Sequence, residues 1–452
     1  MRQQRSGEGD HVIARDFARH YLLAERAEGI YIWDENGKRY IDGSGGSSAV
    51  VSIGHGVAEI ADAMAAQART LAFAPMHMFT HRTVIALAEE VARLAPGSLG
   101  KVWFVSGGSE ATENAVKLAR QVQMERGFPQ RSIVISRWQS FHGATFGALG
   151  FGGHTARRRR YIPLFQTSPH IPAAYHYRCD FCAGEGPCTL ACAGALEREI
   201  RRQGSENVAA FIAEPVVGAA LGAVPAPPGY FQEVRRICDE YGVLFIADEV
   251  MTGFGRTGKT FGIDHWDVVP DLIATAKGLS GGYAPLGAVI ARDEDVDLLE
   301  RKQSSFVAGH TYVGHPVTTA AGLAVLRYIH EHELVENART QGERLLAGAQ
   351  DLMAKHEIVG NVVGLGLMVG LELVSNRQTK RPFPAALKVA AKVGDAALAR
   401  GLITYPLQGC VDGVEGDMIK LTPPLSIGAE QVDELLALLA DALGAVELEL
   451  VA

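Results

Sequence analysis

Short, uninterrupted apolar runs that alternate with helix-like segments are the feature that most constrains the fold of this chain. Strands that are apolar on both faces need cover on both faces, which is typical of a mainly parallel sheet with helices packed against it. The runs "KVWFVS", "SIVIS", "VAAFIAEP", "VLFIADE", "DLIATAK" and "LGAVIAR" lie at 101–106, 132–136, 208–215, 243–249, 271–277 and 286–292. The sequence therefore predicts an α/β fold whose ligands bind outside the carboxyl ends of the strands.

The chain changes in character after this region. Its 452 residues exceed one ordinary core. Long helical segments followed by late strands at "LITYP" and "MIKLTPP" indicate a smaller α+β domain. A hairpin is predicted around Asn36-Gly37. We expect an N-terminal segment (1–60) that joins the small domain, a large domain (61–325) and a C-terminal small domain (326–452).

Composition excludes several classes of function. The net charge of −8 argues against a nucleic-acid-binding protein. The run "RRRR" at 157–160 fits a solvated loop or an anion contact better than a nucleic-acid patch. No stretch approaches the roughly 20 apolar residues of a membrane span, and the N-terminus is polar, without the apolar segment of a secretory leader. Six cysteines in so long a chain do not make a disulfide scaffold, so we expect a cytoplasmic protein without a membrane partner.

Two oppositely charged residues end neighbouring apolar runs. Asp248 closes "VLFIAD" and Lys277 closes "DLIATAK", which is followed by the glycine-rich "GLSGGYAPLGA". A buried carboxylate is costly unless it meets a cation, and a buried lysine tends to lose its proton. Taken alone, the pair is explained equally well by a structural salt bridge and by a reactive amine beside a carboxylate.

Two further strand-to-helix junctions carry candidate site residues. In "FVSGGSEATENA" the chain passes through Gly107-Gly108 into a helix whose first turn holds Ser109, which can cradle a phosphate with free N–H groups. In "SFHGATFGALG" another junction presents Phe141 and His142. Each junction alone is weak evidence, because a tight turn or a core aromatic also explains it.

Together, these residues match the needs of one cofactor. Pyridoxal 5'-phosphate requires a lysine for its aldehyde, a carboxylate for its pyridine nitrogen, donors for its phosphate and a flat apolar face for its ring. We therefore predict that Lys277 binds the cofactor aldehyde, and that the glycines after it let the backbone approach the cofactor.

Six sequence blocks carry a resemblance to a known family. The blocks "IADEVMTGFGRTGKTFG", "ATAKGLSGGYAPLGA", "VSGGSEATENAVKLAR", "SFHGATFGAL", "AEPV" and "GHTYVGHP" resemble the signatures of the class III (ω-amino) aminotransferases, in the family's order. The resemblance extends over nearly the whole chain. It implies a fold-type I pyridoxal-phosphate-dependent transferase: a homodimer, or a higher oligomer, with active sites shared between subunits.

The resemblance also implies a role for each matching residue. Lys277 would be the lysine that binds the cofactor, and Asp248 would lie beside its pyridine nitrogen. The other cofactor contacts that it implies are ring packing by Val250 and Phe141, backbone donors to the phosphate from Gly108 and Ser109, and Thr311 reaching the phosphate from the neighbouring subunit. His142 completes the predicted cofactor set, and Glu214 matches an active-site glutamate whose role varies with the substrate.

The implied reaction is transamination. An ω-amine or ω-amino acid would give its amino group to the enzyme, leaving pyridoxamine phosphate, and a keto acid such as pyruvate would take it up in a ping-pong cycle. Two alternatives stay open: a lyase on the same scaffold that eliminates ammonia or phosphate, and a non-enzymatic sensing protein that reuses the fold.

Two positions and one segment depart from the family pattern and bear on the substrate. Met251 replaces a glutamine common near the cofactor, and the segment "GSGGSSAVV" is small where amine-specific members often carry a bulky aromatic. Lys420 stands where amino-acid-specific members have an arginine that grips a carboxylate, and a lysine supplies only a point charge there.

An insertion rich in cysteine is the last feature of note. Cys179, Cys182, Cys188 and Cys192 lie in "YRCDFCAGEGPCTLACAG". Four thiolates can hold zinc or an iron–sulfur cluster. The spacing is not a strong zinc pattern, so we predict a loop of free cysteines without a metal.

Overall fold

The computed structural model describes residues 11–19 and 21–451. In chain order the strands are β1 (Ala24–Glu28), β2 (Tyr31–Asp34), β3 (Arg39–Asp42), β4 (Lys101–Val105), β5 (Ile133–Arg137), β6 (His170–Ile171), β7 (Val208–Ala213), β8 (Val216–Val217), β9 (Val224–Pro225), β10 (Leu244–Asp248), β11 (Leu272–Thr275), β12 (Gly287–Ala291), β13 (Val359–Gly364), β14 (Val369–Leu373), β15 (Leu402–Ile403), β16 (Tyr405–Gln408) and β17 (Asp417–Leu421).

The α-helices alternate with the strands through the middle of the chain. They are α1 (Ala58–Thr70), α2 (Arg82–Leu94), α3 (Gly108–Glu125), α4 (Phe146–Phe151), α5 (Thr155–Arg158), α6 (Ala191–Gln203), α7 (Tyr230–Tyr241), α8 (Asp293–Arg301), α9 (Pro316–Glu331), α10 (Leu334–Lys355), α11 (Val389–Ala399) and α12 (Ala429–Val451).

A seven-stranded sheet forms the centre of the molecule, in the order β4-β12-β11-β10-β7-β5-β6. The pairs β5–β6, β5–β7, β7–β10 and β10–β11 are parallel. The six apolar runs are all strands of this sheet, which confirms the predicted mainly parallel α/β architecture. Only β12 departs from it within the sheet, since it runs antiparallel to both β11 and β4.

Burial on both faces explains the uninterrupted apolar runs. Successive side chains of a strand point to opposite faces. In β10, Phe245 and Ala247 enter one hydrophobic core, whereas Leu244 and Ile246 enter a second core that α3 covers. Every residue of β7 and β10 is buried. The uninterrupted apolar pattern of these strands therefore follows from burial of both faces of the sheet.

Two smaller four-stranded sheets flank the central one, in the orders β1-β2-β3-β15 and β13-β14-β17-β16. The first confirms the hairpin at Asn36-Gly37, with β2 and β3 antiparallel and Gly37 at a positive φ of 77°. The run "LITYP" is not one strand: β15 pairs with β3 and β16 pairs with β17, with Thr404 between them. A single short run thus ties the N-terminal sheet to the C-terminal one.

The domain boundaries at 60/61 and 325/326 stay a prediction. Residues 1–10, His20 and Ala452 lie outside the described residues, and so does much of the polar N-terminal stretch on which the expectation about targeting rests. Among the helices that the structure describes, none combines the length and the apolar character needed to cross a membrane.

Gly370 in β14 lies so close to the loop between β8 and β9 that we expect this position to admit only glycine. A Cβ added at Gly370 would overlap the carbonyl oxygen of Gly222. Since overpacking costs about 1–3 kcal/mol, we expect Gly370→Ala to lower the free energy of unfolding by at least this amount in urea denaturation. Gly194→Ala is the matched control, because a Cβ there meets nothing within 4 Å and a helical Gly→Ala change gains about 0.5–1 kcal/mol. Equal free energies of unfolding for the two variants would contradict the requirement for glycine at position 370.

Candidate active site

Charged side chains follow three adjacent parallel strands at one edge of the central sheet. Glu214 follows β7, Asp248 ends β10, and Lys277 comes two residues after β11. Asp248 is in register with Ala274, three residues before Lys277. All parallel strands end at this edge, so residues distant in the sequence meet in one place. Lys277 has a φ of 41°, a left-handed conformation that is uncommon outside glycine and concentrates at functional sites.

Asp248 is held by two donors from the surrounding loops. Its Oδ2 lies 2.6 Å from Nδ1 of His142, and its Oδ1 accepts the Val250 N–H at 3.0 Å. An ionised carboxylate only accepts, so Nδ1 of His142 carries the proton. The His142 carbonyl accepts the Thr112 hydroxyl at 2.6 Å, while its buried Nε2 has no hydrogen-bond partner among the described residues. The sequence does not reveal the contact between His142 and Asp248, because it joins a loop to the end of a strand 106 positions further along the chain.

Burial changes the acidity of the remaining two groups. Burial raises the pKa of Glu214 to about 7, and the charge of Asp248 adds to this. Its Oε2 accepts the Phe141 N–H at 3.3 Å. Burial lowers the pKa of Lys277 to about 8, against the attraction of Asp248 and Glu214 and assisted by repulsion from Arg157 and Arg256. Near neutral pH, Lys277 therefore exchanges its proton far more readily than an exposed lysine does.

The N-terminus of α3 lies against Val250, two residues after Asp248. A Cβ on Gly108 would come within 2.8 Å of the Val250 side chain, so this approach requires glycine. Ser109 Oγ accepts the Ala144 N–H at 3.0 Å, which ties α3 to the Phe141–His142 loop. The free N–H groups at the start of an 18-residue helix make this end suitable for an anion.

These residues enclose a cavity of about 160 Å³. It is lined by Gly108, Ser109, Phe141, His142, Gly143, Glu214, Asp248, Val250, Met251 and Lys277. The cavity therefore brings together every cofactor-site residue predicted from the sequence except Thr311, and it includes Glu214, the glutamate whose predicted role varies with the substrate. What each residue does there stays a prediction.

Thr311 and Lys420 lie outside this lining. Thr311 is exposed on the surface of the single chain. Lys420, on β17, is fully buried, and its Nζ donates to Ser48 Oγ at 3.1 Å and stands 4.2 Å from the ring centre of Tyr405. Burial, with repulsion from Lys277, holds the pKa of Lys420 well below its usual value.

Arg157 is a residue near the site that the sequence did not single out. Its guanidinium lies 4.7 Å from the ring centre of Phe141 and donates to the Tyr405 hydroxyl at 3.1 Å. The available signal was the run "RRRR", whose members the structure separates: Arg157 is half-buried, Arg158 is buried, and Arg159 and Arg160 are exposed.

The cysteine insertion lies apart from the cavity lining. Cys179 and Cys192 are buried and Cys182 and Cys188 are half-buried, all as free thiols. Cys182 Sγ lies 3.5 Å from Nδ1 of His176. Across residues 11–19 and 21–451, no three His, Cys, Asp or Glu side chains group closely enough to hold a metal ion. That the insertion is a loop of free cysteines without a metal stays a prediction.

Comparison with known proteins gives a consistent result. A family model described as "Aminotransferase class-III" matches residues 12–443. A putrescine–pyruvate aminotransferase of Pseudomonas aeruginosa is 36% identical over 423 residues, covering 92% of this chain and 89% of that protein. A diaminobutyrate–2-oxoglutarate transaminase of Halomonas elongata is 37% identical over 417 residues, covering 91% and 87%. The solved structure of an (S)-enantioselective ω-transaminase from Thermomicrobium roseum has a TM-score of 0.89 at 37% identity and covers 97% and 96%.

The central sheet and its helices have the fold of the fold-type I pyridoxal-phosphate-dependent transferases. Within that class, the chain belongs to the class III aminotransferases, and it is an enzyme. Both statements agree with the family resemblance of the sequence blocks.

The lowered pKa of Lys277 predicts a pH profile. A neutral amine attacks an aldehyde, so the rate at which the apoenzyme incorporates pyridoxal phosphate should rise about tenfold per pH unit below 8 and level off above it. The measurement is the growth of visible absorption between pH 6 and 10.5, with borohydride reduction and peptide mapping to locate the modified lysine. A rate that continues to climb from pH 9 to 10.5 would show that the pKa of Lys277 is that of an ordinary lysine.

Proposed function

We propose that this protein is a pyridoxal-phosphate-dependent aminotransferase that moves an amino group from an ω-amine or ω-amino acid to a keto acid such as pyruvate. The observation that carries the proposal is the meeting of Lys277 and Asp248 in one buried cavity at the carboxyl edge of the sheet. Small-molecule amines and keto acids are its proposed partners.

The cavity residues fit pyridoxal phosphate. Lys277 supplies the amine for the aldehyde, and Asp248 supplies the carboxylate for the pyridine nitrogen. Gly108 and Ser109 offer N–H groups to the phosphate, while Val250 and Phe141 supply apolar faces for the ring. The fit is supported by the requirement for glycine at 108, where any side chain would strike Val250. When bound, the cofactor supplies an electron-accepting ring that stabilises negative charge on the substrate carbon.

Asp248, held by His142, would keep the pyridine nitrogen of the cofactor protonated. A buried carboxylate beside a ring nitrogen favours the protonated form of that nitrogen. His142 holds Oδ2 of Asp248 at 2.6 Å, and Val250 holds Oδ1 at 3.0 Å. Two fixed donors hold the Asp248 side chain in one orientation, so its carboxylate has a fixed position in the site.

Lys277 is the residue that moves a proton. With a pKa of about 8, close to neutral pH, its amine can both accept and return a proton, which is the property of an effective general base. Glu214, with a pKa of about 7, is the second group whose charge can adapt to the substrate.

Reducing conditions suit the cysteines of this chain. All six are free thiols, four of them buried, and unpaired cysteines persist where thiols are kept reduced. We therefore assign the enzyme to the cytoplasm, acting on small molecules and neither on nucleic acid nor at a membrane.

A substrate panel tests the proposed reaction. We expect the protein, loaded with pyridoxal phosphate, to convert pyruvate to alanine with ω-amines or ω-amino acids and to release no free ammonia. Lys277→Ala should retain reversibly bound cofactor but lose turnover by at least about 10³-fold, since it lacks the proton-transferring amine. Both alanine and ammonia are quantified. Stoichiometric ammonia without alanine would establish the lyase instead, and full activity of Lys277→Ala would refute the assignment of the lysine.

We further propose that the active enzyme is a homodimer in which Thr311 of one subunit reaches the phosphate site of the other. An exposed apolar patch next to Thr311 supports this. Phe73 and Tyr312, both exposed, pack edge to face at 6.3 Å, and the exposed Met78, Phe79 and Val307 lie within a few positions of one or the other in the sequence. Large contiguous apolar patches on a folded chain mark interaction surfaces.

A shared active site makes activity depend on dimerisation. We expect Phe79→Asp, which places a charge in the patch, to yield monomers that lose activity and cofactor together, as measured by analytical ultracentrifugation and visible absorption. Leu448→Asp is the control, because Leu448 is exposed at 77% in the C-terminal helix, away from Thr311 in the sequence. A fully active Phe79→Asp monomer would refute the shared site.

A further inference from the structure

Four of the six cysteines lie in one segment that the cofactor site does not use. This cysteine insertion holds the free thiols of Cys179, Cys182, Cys188 and Cys192, and none of the four lines the cavity around Lys277. Across residues 11–19 and 21–451, no three His, Cys, Asp or Glu side chains are placed to hold a metal ion. The arrangement of the insertion therefore favours the chemistry of a pair of thiols.

A tight turn brings Cys179 and Cys182 together. The Ala183 N–H donates to the Cys179 carbonyl at 2.8 Å. Two residues further on, the Glu185 N–H donates to the Cys182 carbonyl at 2.8 Å. Ala183 has a φ of 50°, in the left-handed region that tight turns use. The two cysteines are separated by two residues, which is the spacing of redox-active dithiols.

Contacts from outside the insertion hold this turn in place. The Nζ of Lys380 donates to the Tyr177 carbonyl at 3.2 Å and also to the Ala183 carbonyl. These two carbonyls flank the cysteine pair in the sequence. Next to the pair, Arg178 forms an ion pair with Glu372, which is buried in β14. The turn is thus tied at both ends to the C-terminal part of the chain, and its two thiols keep one relative position.

The two thiols have different surroundings. Cys179 is buried, and its sulfur accepts the backbone N–H groups of Phe181 and Cys182. Burial raises the pKa of Cys179, and a hydrogen bond with the Cys182 side chain adds to this. Cys182 is half-buried, and its Sγ lies 3.5 Å from Nδ1 of His176. An imidazole within hydrogen-bond reach of a thiol can take up its proton. Cys182 is therefore the accessible nucleophile, and Cys179 is the buried thiol beside it.

We propose that Cys179 and Cys182 form a redox-active dithiol, a modification site that hydrogen peroxide converts into a reversible disulfide, with Cys182 reacting first. The site is separate from the cofactor cavity, and its chemistry is independent of amino-group transfer. In a reducing compartment such a disulfide is transient and forms in response to an oxidant.

The chemistry balances over two steps. In the first, the Cys182 sulfur attacks one oxygen of hydrogen peroxide and the O–O bond breaks. The thiol proton passes through His176 to the departing hydroxide, which leaves as water, and Cys182 becomes a sulfenic acid. In the second, the Cys179 sulfur attacks the Cys182 sulfur, so that the S–S bond forms, the S–O bond breaks, and the leaving hydroxide takes the Cys179 proton as a second water. The two thiols lose two electrons, and the peroxide is reduced to two molecules of water.

The other cysteines of the insertion provide internal comparisons. Cys192 is buried, and burial, with the charges of Cys179 and Cys188, raises its pKa to about 12. A buried thiol of this kind is inert. Cys188 is half-buried like Cys182 but lies outside the turn. It is the matched control, because it has comparable exposure without the spacing of the pair.

Limited oxidation of the full-length holoenzyme tests the pair. We expect hydrogen peroxide at one equivalent per chain to lower the count of free thiols from six to four, with a Cys179–Cys182 cross-link in the peptide map. Dithiothreitol should restore all six thiols by exchange. Cys188→Ser should form the same cross-link. Cys179→Ser should accumulate a sulfenic acid at Cys182 that dimedone traps, because the second thiol is missing.

Two further variants separate reactivity from positioning. Cys182→Ser should keep all its remaining thiols under the same conditions. Lys380→Met, which frees the turn, should slow cross-linking about 10-fold while sulfenic acid forms at Cys182 at the wild-type rate, since the second step alone needs the two sulfurs aligned. Equal slowing of both steps would show that Lys380 does not position the pair.

The wild-type peptide map decides the proposal even where a serine variant fails to fold. Oxidation spread equally over Cys182 and Cys188 would show ordinary accessible thiols and overturn the dithiol. Undiminished thiol loss in a folded Cys182→Ser, checked by circular dichroism, would do the same. Zinc or iron at one atom per chain in the purified protein, with the cysteines protected from peroxide until a chelator removes it, would replace the dithiol with a metal site.

Discussion

The parallel pairing of β10 with β11 is the constraint on which the rest of the site depends. It places the carboxyl ends of two apolar strands side by side, with Asp248 in register with Ala274, so that Lys277 emerges next to the carboxylate. The side chains on both faces of these strands are buried in hydrophobic cores, and this burial stabilises the pairing. The reactive groups are thus positioned by a core that takes no part in the chemistry.

Burial also sets the electrostatics of the site. Removing Lys277 and Glu214 from water brings the pKa of the lysine down to about 8 and that of the glutamate up to about 7. Groups that ordinarily titrate far apart are therefore brought close to one another and to neutral pH. Asp248, between them, is held in place by its contacts with His142 and Val250. One carboxylate keeps a fixed role while its neighbours remain adaptable.

The sequence predicted the elements that local patterns encode. Continuous apolar runs revealed the central strands, and the chemistry of the residues at their ends predicted the lining of the cavity. The antiparallel direction of β12 and the division of "LITYP" at Thr404 were missed, since both depend on which distant strand each segment joins. Arg157 was missed for the same reason: it lies in a run of four arginines, and only its contacts with Phe141 and Tyr405 reveal its place near the site.

Because β16 and β17 belong to a sheet separate from the central one, their residues can change in evolution independently of the central strands. Tyr405 and Lys420 belong to the C-terminal sheet, whereas Asp248 and Lys277 belong to the central one. The two sheets have separate hydrogen-bond ladders, so a substitution that reshapes the first need not shift the register of the second. Selection for a new metabolite can therefore act on one sheet while inherited chemistry is preserved in the other, and relatives about 37% identical can specialise without rebuilding their reaction centre.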